Sequence, residues 1–545
     1  MTISASAVPA AAAETQIPEP HGGGTVIDPK SRLRFYLVGR PDETIRNGKR
    51  ECVRVGHADR TYPVKQRSSP PPPRGWTDPD FDDSGWPVSR SPLRTSSRRT
   101  YSLLCARGRF LLADPKTARL TLTLSYKGGV VVYVNGKEVK RAHMPEGELA
   151  PETPAENYPR DVWVDPEGHL LRHGFGDPAK YAKRFAARER KLEGFELPAA
   201  ALRSGVNVLA LEFHRPLTDG VFYDGKPRKH AKRYCNWSTL ELTGLELSAP
   251  AGARVAGPAT PVKGLRVWNQ QAAQVATTAD RADPADRLRP VRIFGARNGW
   301  FSGQVVLGSN SAIRGPKAEM SDMTGKGGTI PASRVRVRWG LPDGPARTRG
   351  GPRTFDGLEE TPPAEVKPVE GGGAVCPVWV TVGVPRDAAA GNYSGTLSLS
   401  FQGAGPVKVP ISLTVADWTL PDARQSATYY WLVQSPEALA MQYKVPMWSD
   451  RHFELIGRSF ELMGQVGTRI VYVPMFRESY LGNEHTMVRW VKDDSADGGW
   501  KHDLSVFERY IDLAVAKLGR LEVVCMHCWP RTSGGAYFGG GKKAE

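Results

Sequence analysis

The chain has 545 residues, 40% of them hydrophobic, with 57 glycines, 45 prolines and a formal net charge of +17. That length suits about three domains, and so much glycine and proline suits β domains joined by turns better than helical bundles. No apolar run approaches the roughly 20 residues that span a bilayer. The positive excess is mostly arginine spread along the whole length, without the basic and aromatic pattern of a nucleic-acid reader, so neither a membrane span nor a nucleic-acid partner is expected. In chain order, Met1 to Ala13 is small and Ala-rich. Ala11-Ala12-Ala13 has the look of a signal-peptidase site, but no positive n-region or leucine-rich core accompanies it. Residues 1–25 are read as a leader or disordered tail, and the expected location is extracellular or periplasmic.

Residues 33–38 read as a strand, and Pro70 to Pro73 as a stiff spacer. Trp76 and the run Phe81-Asp82-Asp83-Ser84-Gly85-Trp86 follow. Further strands are expected at 118–125, at 130–139 with an Asn135-Gly136 turn signal inside it, at 202–213 and at 237–247. Short alternating strands with turn signals indicate a β-sandwich over 26–248, interrupted by an insertion at 142–200. The densest basic stretch, 180–191, is read as a helix with Asp177 as cap and Pro178 at its first position. These residues resemble the galactose-binding-like jelly rolls attached to many glycoside hydrolases. The W…FDDSGW segment, the strand ending in VNGKEV and the GVNVLALE strand carry that resemblance. It implies either sugar binding or packing on a neighbour, and packing is favoured because no exposed aromatic cluster announces a platform.

A Pro/Ala/Gly linker is expected at 249–260, and then a second sandwich over 262–421. Its strands are expected at 264–268, 291–296, 301–308, 333–339, 376–385, 391–400 and 407–415, with a Gly/Pro/Arg-rich interruption at 340–374. A hinge, Ala416-Asp-Trp-Thr-Leu-Pro421, leads into residues 422–545. There, apolar residues at Phe453, Leu455, Ile456, Phe460, Leu462 and Met463 mark one face of a helix with Ser449 or Asp450 as N-cap. Residues 469–474 read as a strand buried on both faces. A polar loop, a second amphipathic helix at 504–518 and a second strand at 521–529 follow. Helix, strand, helix, strand predicts parallel pairing at the start of an α/β sheet.

Arg297-Asn-Gly-Trp-Phe-Ser-Gly303, PVWVTVGVPRDAAAGNYSGTLSLS at 377–400 and LTVADWTLPD at 413–422 together resemble glycoside hydrolase family 123 and related proteins carrying domain of unknown function 4091. The resemblance implies two all-β sandwiches followed by a β/α barrel of TIM type, of which 422–545 supplies the first units. It also implies substrate-assisted, retaining hydrolysis of β-linked N-acetylhexosamine, N-acetylgalactosamine-like, glycans, with a glycan as partner and no cofactor. In that mechanism an Asp holds the acetamido group and an adjacent Glu is the acid/base. No Asp-Glu dipeptide occurs between 422 and 545, and the pair at Asp42-Glu43 lies far upstream. The catalytic residues are therefore unassigned, and the pair is expected beyond Glu545.

A barrel builds its site from loops at the C-terminal ends of its strands. The residues there of the right type to bind sugar hydroxyls or stack on a ring are Glu478, Asn483 and His485 after the first strand, and His527 and Trp529 at the end of the second. Arg477, Glu484 and Arg531 flank them. Asn483-Glu484 also resembles the Asn-Glu pair of glycoside hydrolase family 2, which keeps a family 2-like β-glycosidase as an alternative. A non-catalytic carbohydrate-binding or surface protein is the other. Six cysteines are too few for a disulfide scaffold. Cys525 and Cys528 are three apart on a strand and point to opposite faces, so no metal site is expected there.

Overall fold

The computed structural model describes residues 24–53, 68–94, 101–116, 118–171, 177–221, 238–260, 264–344, 351–369, 372–430, 432–475, 485–495 and 498–527. They form two compact units. The first holds Met1–Gly295, Trp300–Gly383 and Ala389–Val415; the second holds Ala296–Gly299, Val384–Ala388 and the chain from Ala416 onward.

The first unit begins with two facing antiparallel sheets. One orders Gly24–Ile27, Glu241–Ala249, Thr121–Lys127 and Arg190–Glu196. The other orders Lys137–Ala142, Gly129–Val134, Gly205–His214, Tyr101–Leu112, Arg32–Gly39 and Val88–Arg90. The Asn135-Gly136 turn forms as its chemistry dictates, with φ of 51° and 83°. The central strand Tyr101–Leu112 is buried almost throughout because both its faces are covered. Leu104, Ala106, Phe110 and Leu112 enter the core between the sheets. Leu103 and Cys105 point the other way, against Trp76 and Trp86. The tryptophans of the W…FDDSGW segment are thus buried as a lid on the outer face.

Arg107 and Arg109 share the outward parity of Leu103 and would be stranded under that lid without a counter-ion. Asp83 supplies it. Its carboxylate lies 2.8 Å from Arg107, 2.7 Å from Arg109 and 3.2 Å from Arg34. Burial alone would raise this carboxyl, but the three guanidinium groups hold it below the usual carboxylate value. Arg34 extends the network to Asp286, at 2.7 Å, while Arg32 and Arg90 meet Asp280 at 3.0 and 2.7 Å. Arg289 and Arg292 both close on Asp82. A seam of arginine and aspartate therefore fastens the jelly roll to the segment that opens the second sandwich.

Three expectations are corrected here. The 249–260 stretch is not a linker: Val255–Ala256 pairs with Leu111 and Leu112, and Ala253 and Val255 are buried in the first core. The basic helix is two short pieces, Asp177–Lys180 and Ala182–Ala186. Arg190–Glu196 is a strand paired with Thr121–Lys127, so the insertion closes before 190 rather than at 200. The proline run, read as a stiff spacer, is tied at its start: Ser69 exchanges two hydrogen bonds with Gly39 and Tyr36 Oη donates to the carbonyl of Pro70.

The second sandwich orders Leu265–Gln270, Gly299–Ser309, Ala374–Val384, Val335–Leu341 and Gly357–Glu359 in one sheet. Its other sheet orders Val291–Arg297, Ala404–Thr419, Gly391–Phe401, Met323–Gly325 and Gly328–Ile330.

In the second unit the three stretches behind the family resemblance meet. Asn298, in the left-handed region at φ 61°, donates to the carbonyl of Leu420 and to Asp422, both at 3.0 Å. Arg297 donates to Asp417 at 2.6 Å and to the carbonyl of Ala388 at 2.8 Å. The hinge at 416–422 is thereby buckled to the Arg297-Asn298 turn and to the 385–388 turn.

Beyond it run helices Pro436–Tyr443, Asp450–Gln465 and Ser505–Leu518, with strands Ile470–Pro474 and Val523–His527. The Asp450–Gln465 helix starts where Ser449 accepts a hydrogen bond from His452 N. It ends before Gly467, whose φ is 82° and where a Cβ would lie 2.2 Å from the carbonyl of Ala423. Phe453, Ile456, Phe460 and Met463 pack with Val471, Val473, Val506, Tyr510, Ala514 and Leu518 in one core. The Val, Leu, Ile, Phe and Met side chains among them contribute about 1.5–3 kcal/mol each when fully buried. Leu462 departs from the expected face and is exposed. His452 takes an unforeseen core position, accepting from Trp448 N at 2.9 Å through Nδ1 and donating through Nε2 to the carbonyl of Pro436 at 2.8 Å.

Candidate functional site

The two strands are parallel, as the helix–strand alternation predicts, with Tyr472 opposite Cys525 and Pro474 opposite His527. Val471 and Val473 face the helices. Ile470, Tyr472, Cys525 and His527 therefore share the other face, because strand side chains alternate and paired residues project together. On it the Tyr472 and His527 rings lie 5.0 Å apart, and Cys525 Sγ is 4.0 Å from His527 Nε2. Burial holds the His527 imidazole below its ordinary value, favouring the neutral ring, with one nitrogen donating and the other accepting.

The chain returns to the same end of the sheet after the first strand. Met487 N donates to the carbonyl of Pro474, and Thr486 Oγ1 donates to that of Met475 at 2.7 Å. His485 is carried to that end with them. Of the residues singled out from the sequence, His485 and His527 are thus brought to one strand end. Glu478, Asn483 and Trp529 lie outside the described residues, as do Arg477, Glu484, Cys528 and Arg531.

The expected polar loop contains a hairpin that sequence reasoning missed. Arg489–Lys492 pairs with Trp500–Asp503, placing Trp490 opposite His502 and Lys492 opposite Trp500 on one face. Trp490 and Trp500 are 54% and 50% exposed, and the Trp490 and His502 rings meet edge-on at 4.4 Å. Arg489 anchors the hairpin to the next helix through Ser505 at 2.9 Å. Its signal in the sequence was the Gly498-Gly499 turn pair beside two short arms that each carry a tryptophan. The surface joins aromatic faces to polar donors, the combination that binds sugar rings.

The acidic pairs elsewhere are occupied locally. Asp42 is held by Arg215 at 2.7 Å and Glu43 by Arg50 at 2.6 Å. Asp493 accepts from the backbone and hydroxyl of Ser495 in an exposed turn. Asp165, Glu167 and His169 bring one ligand atom each within 4.8 Å of one another. Asp165 accepts from His169 N at 2.7 Å and lies 3.3 Å from its Nδ1, so turn formation accounts for this cluster.

Two β-sandwiches precede a unit that opens on two parallel strands with polar residues at their C-terminal ends. Residues 431–531 match the family described as glycoside hydrolase 123, catalytic domain. A family 123 glycoside hydrolase from Clostridium perfringens, studied for glycolipid glycan hydrolysis, is 15% identical over 48% of this chain and 48% of its own, with a TM-score of 0.42. A Bacteroides uniformis β-glucuronidase is 10% identical over 92% of this chain and 46% of its own, with a TM-score of 0.20. The exo-chitosanase of Amycolatopsis orientalis is 10% identical over 83% of this chain and 50% of its own, with a TM-score of 0.17. The chain spans about half the length of these solved structures. No curated protein sequence matches it.

Proposed function

We propose that this chain belongs to a glycoside hydrolase that acts on β-linked N-acetylhexosamine, N-acetylgalactosamine-like, glycans by substrate-assisted retaining hydrolysis, outside the cytoplasm. The observation that carries the reading is the family match over 431–531, the same stretch in which the Tyr472 and His527 rings lie 5.0 Å apart. In this reading residues 422–545 open a β/α barrel, and the Tyr472–His527 face is its interior wall. The neutral His527 ring donates to or accepts from a sugar hydroxyl. Trp490 and Trp500 offer flat apolar faces on which the hydrogens of a pyranose can lie.

The nucleophile is the substrate's own acetamido oxygen. It forms a bond to the anomeric carbon as the glycosidic bond breaks, and the acid protonates the leaving oxygen. An Asp orients the acetamido group; the neighbouring Glu gives that proton to the departing alcohol and then takes one from the water that attacks the anomeric carbon and breaks its bond to the acetamido oxygen. Residues 422–545 contain no Asp-Glu dipeptide, and in this reading the pair belongs to a later strand. The test is hydrolysis of 4-nitrophenyl β-N-acetylgalactosaminide. Turnover with retention is expected from the protein that carries the pair, and none from residues 1–545 alone. Folded protein carrying the pair but lacking turnover overturns the function. Turnover by residues 1–545 overturns the placement of the acids.

A further inference from the structure

The second sandwich leaves part of one sheet uncovered. Along Gly299–Ser309, Gly303 faces the opposite sheet, where a Cβ on it would meet Val291 and Ile293. Trp300, Ser302 and Gln304 share the other parity and point outward. One end of this outer face is covered, for Gln304 donates to the carbonyls of Gln271 and Gln274 at 2.7 and 3.0 Å. The Trp300 end is open, and the indole is 49% exposed. Single exposed aromatics are common and need no purpose. This one, however, is seated in a place made for it. Its six-membered ring lies across Gly383 of the neighbouring strand Ala374–Val384, where a Cβ would come within 2.8 Å of it. The guanidinium groups of Arg336 and Arg334 lie 4.4 and 5.7 Å from the ring centre.

Arginine gives the face its charge. Arg336 stands opposite Thr381 and Arg338 opposite Trp379, so these side chains project outward with Trp300. Arg338 is paired with Glu360 at 3.0 Å. Arg334 and Arg336 are exposed, and among the described residues neither meets a carboxylate; Arg334 Nε reaches the carbonyl of Gly383 at 3.4 Å. Ser302 and Thr381, both partly exposed, share a hydrogen bond of 2.9 Å, which leaves one hydroxyl proton and several lone pairs for a ligand. Two unpaired guanidinium groups, suited to bidentate contact with carboxylate or sulfate oxygens, thus flank a flat apolar ring and a pair of hydroxyls. A ligand that uses all three has an apolar side, hydroxyl groups and an acid. Single-stranded nucleic acid would need successive stacking rings along a charged track. Here one ring is open and the third arginine is already neutralised, which favours a single acidic sugar residue.

We infer that this face of the second sandwich binds an acidic glycan through a uronate or sulfated residue, with the sugar ring on Trp300, the acid on Arg334 and Arg336, and hydroxyls toward Ser302 and Thr381. That a sugar carries the anion rests on the glycosidase reading, whereas the anion rests on the arginines alone.

The test is calorimetry on the full chain with trigalacturonate, a sulfated galactan oligosaccharide, neutral galactotetraose and an oligothymidylate. None of these carries an acetamido group, so none addresses the proposed catalytic chemistry. One or both acidic sugars should bind, and the neutral one should not. Trp300→Ala and Arg336→Gln should each weaken that binding by about tenfold, and Trp300→Tyr should retain most of it. Lys408→Gln removes an exposed charge from the other sheet of the sandwich and should change it by less than about twofold. Melting curves establish that each variant is folded; should Trp300→Ala fail to fold, Arg336→Gln against Lys408→Gln decides. Five results overturn the inference. The neutral sugar binds as tightly as the acidic ones. Lys408→Gln weakens binding as much as Arg336→Gln, which assigns the affinity to overall charge. Oligothymidylate binds more tightly than the acidic sugars and depends on Trp300, which assigns the face to nucleic acid. Sedimentation shows self-association that Trp300→Ala abolishes, which assigns it to a second copy. Neither acidic sugar binds. Absence of turnover on the aryl substrate overturns the catalytic reading and leaves these binding outcomes as decisive as before.

Discussion

Arg34 Nη2 lies 2.7 Å from Asp286 Oδ2, a contact across 252 positions of sequence. The same guanidinium reaches Asp83 at 3.2 Å, so one side chain serves both sandwiches. Asp83 is fully buried and faces three arginines. Breaking a buried ionic group by deleting one partner leaves uncompensated charge and costs about 3–5 kcal/mol. Asp83→Ala should therefore lower unfolding stability by that amount in a urea titration. Asp82→Ala, at the more exposed rim, should cost about 1 kcal/mol or less.

The seam also predicts a response to pH. Burial works against ionised Asp83, but Arg109, Arg34 and Arg107 prevail and hold its carboxyl low. The unfolded chain then takes up that proton first, so the contribution is complete above about pH 4 and is lost as pH falls further. Asp283 behaves in the opposite sense: burial and the charge of Asp286 push its carboxyl up to about 7. There the native state binds the proton more tightly, so stability declines as pH rises from about 4 through 7. Asp283→Asn should raise the melting temperature at pH 8 and leave it nearly unchanged at pH 4, as differential scanning calorimetry at the two values would show.

Asn298 should act as a clasp on the hinge. Asn298→Ala removes two hydrogen bonds and puts a Cβ-bearing residue without a compensating side chain in the left-handed region, a combined cost of about 2 kcal/mol. The expected outcome is faster limited proteolysis within 416–422. Asn298→Gly, which relieves the backbone, should be cut more slowly than the alanine variant.

At the strand end, His527→Ala should weaken binding of an aryl β-N-acetylgalactosaminide by about tenfold, measured as a rise in KM in the protein carrying the Asp-Glu pair. Trp490→Ala should act in the same direction. Leu462→Ala, on an exposed position of the neighbouring helix, should change neither KM nor stability appreciably.

What the sequence disclosed follows the range of the forces involved. The Asn135-Gly136 turn, the Ser449 cap and the amphipathic face of the Asp450–Gln465 helix are set by neighbours within a few positions, and they are legible as pattern. The partners of Asp83 lie from 24 to 49 residues away, and Asp286 is 203 residues from it, so nothing local distinguishes it from a solvated turn aspartate. Val255 was hidden for another reason: a two-residue strand inside Pro/Ala/Gly context has no period to detect. Arg190 to Glu196 sat beside a basic run whose helical propensity is real, yet pairing with Thr121–Lys127 outweighed it. Of the candidate site, His485 and His527 were recognisable as polar residues at strand ends. Tyr472 was not, because in sequence it is one more member of an apolar run.

Val523–His527 pairs with Ile470–Pro474 and, among the described residues, with no other strand, while Val523, Val524 and Met526 stay substantially open to water. A greasy ribbon with unsatisfied amides along one border is a template that any extended peptide can join. A solution of this chain should accordingly cloud at high protein concentration, and Val524→Lys should clear it.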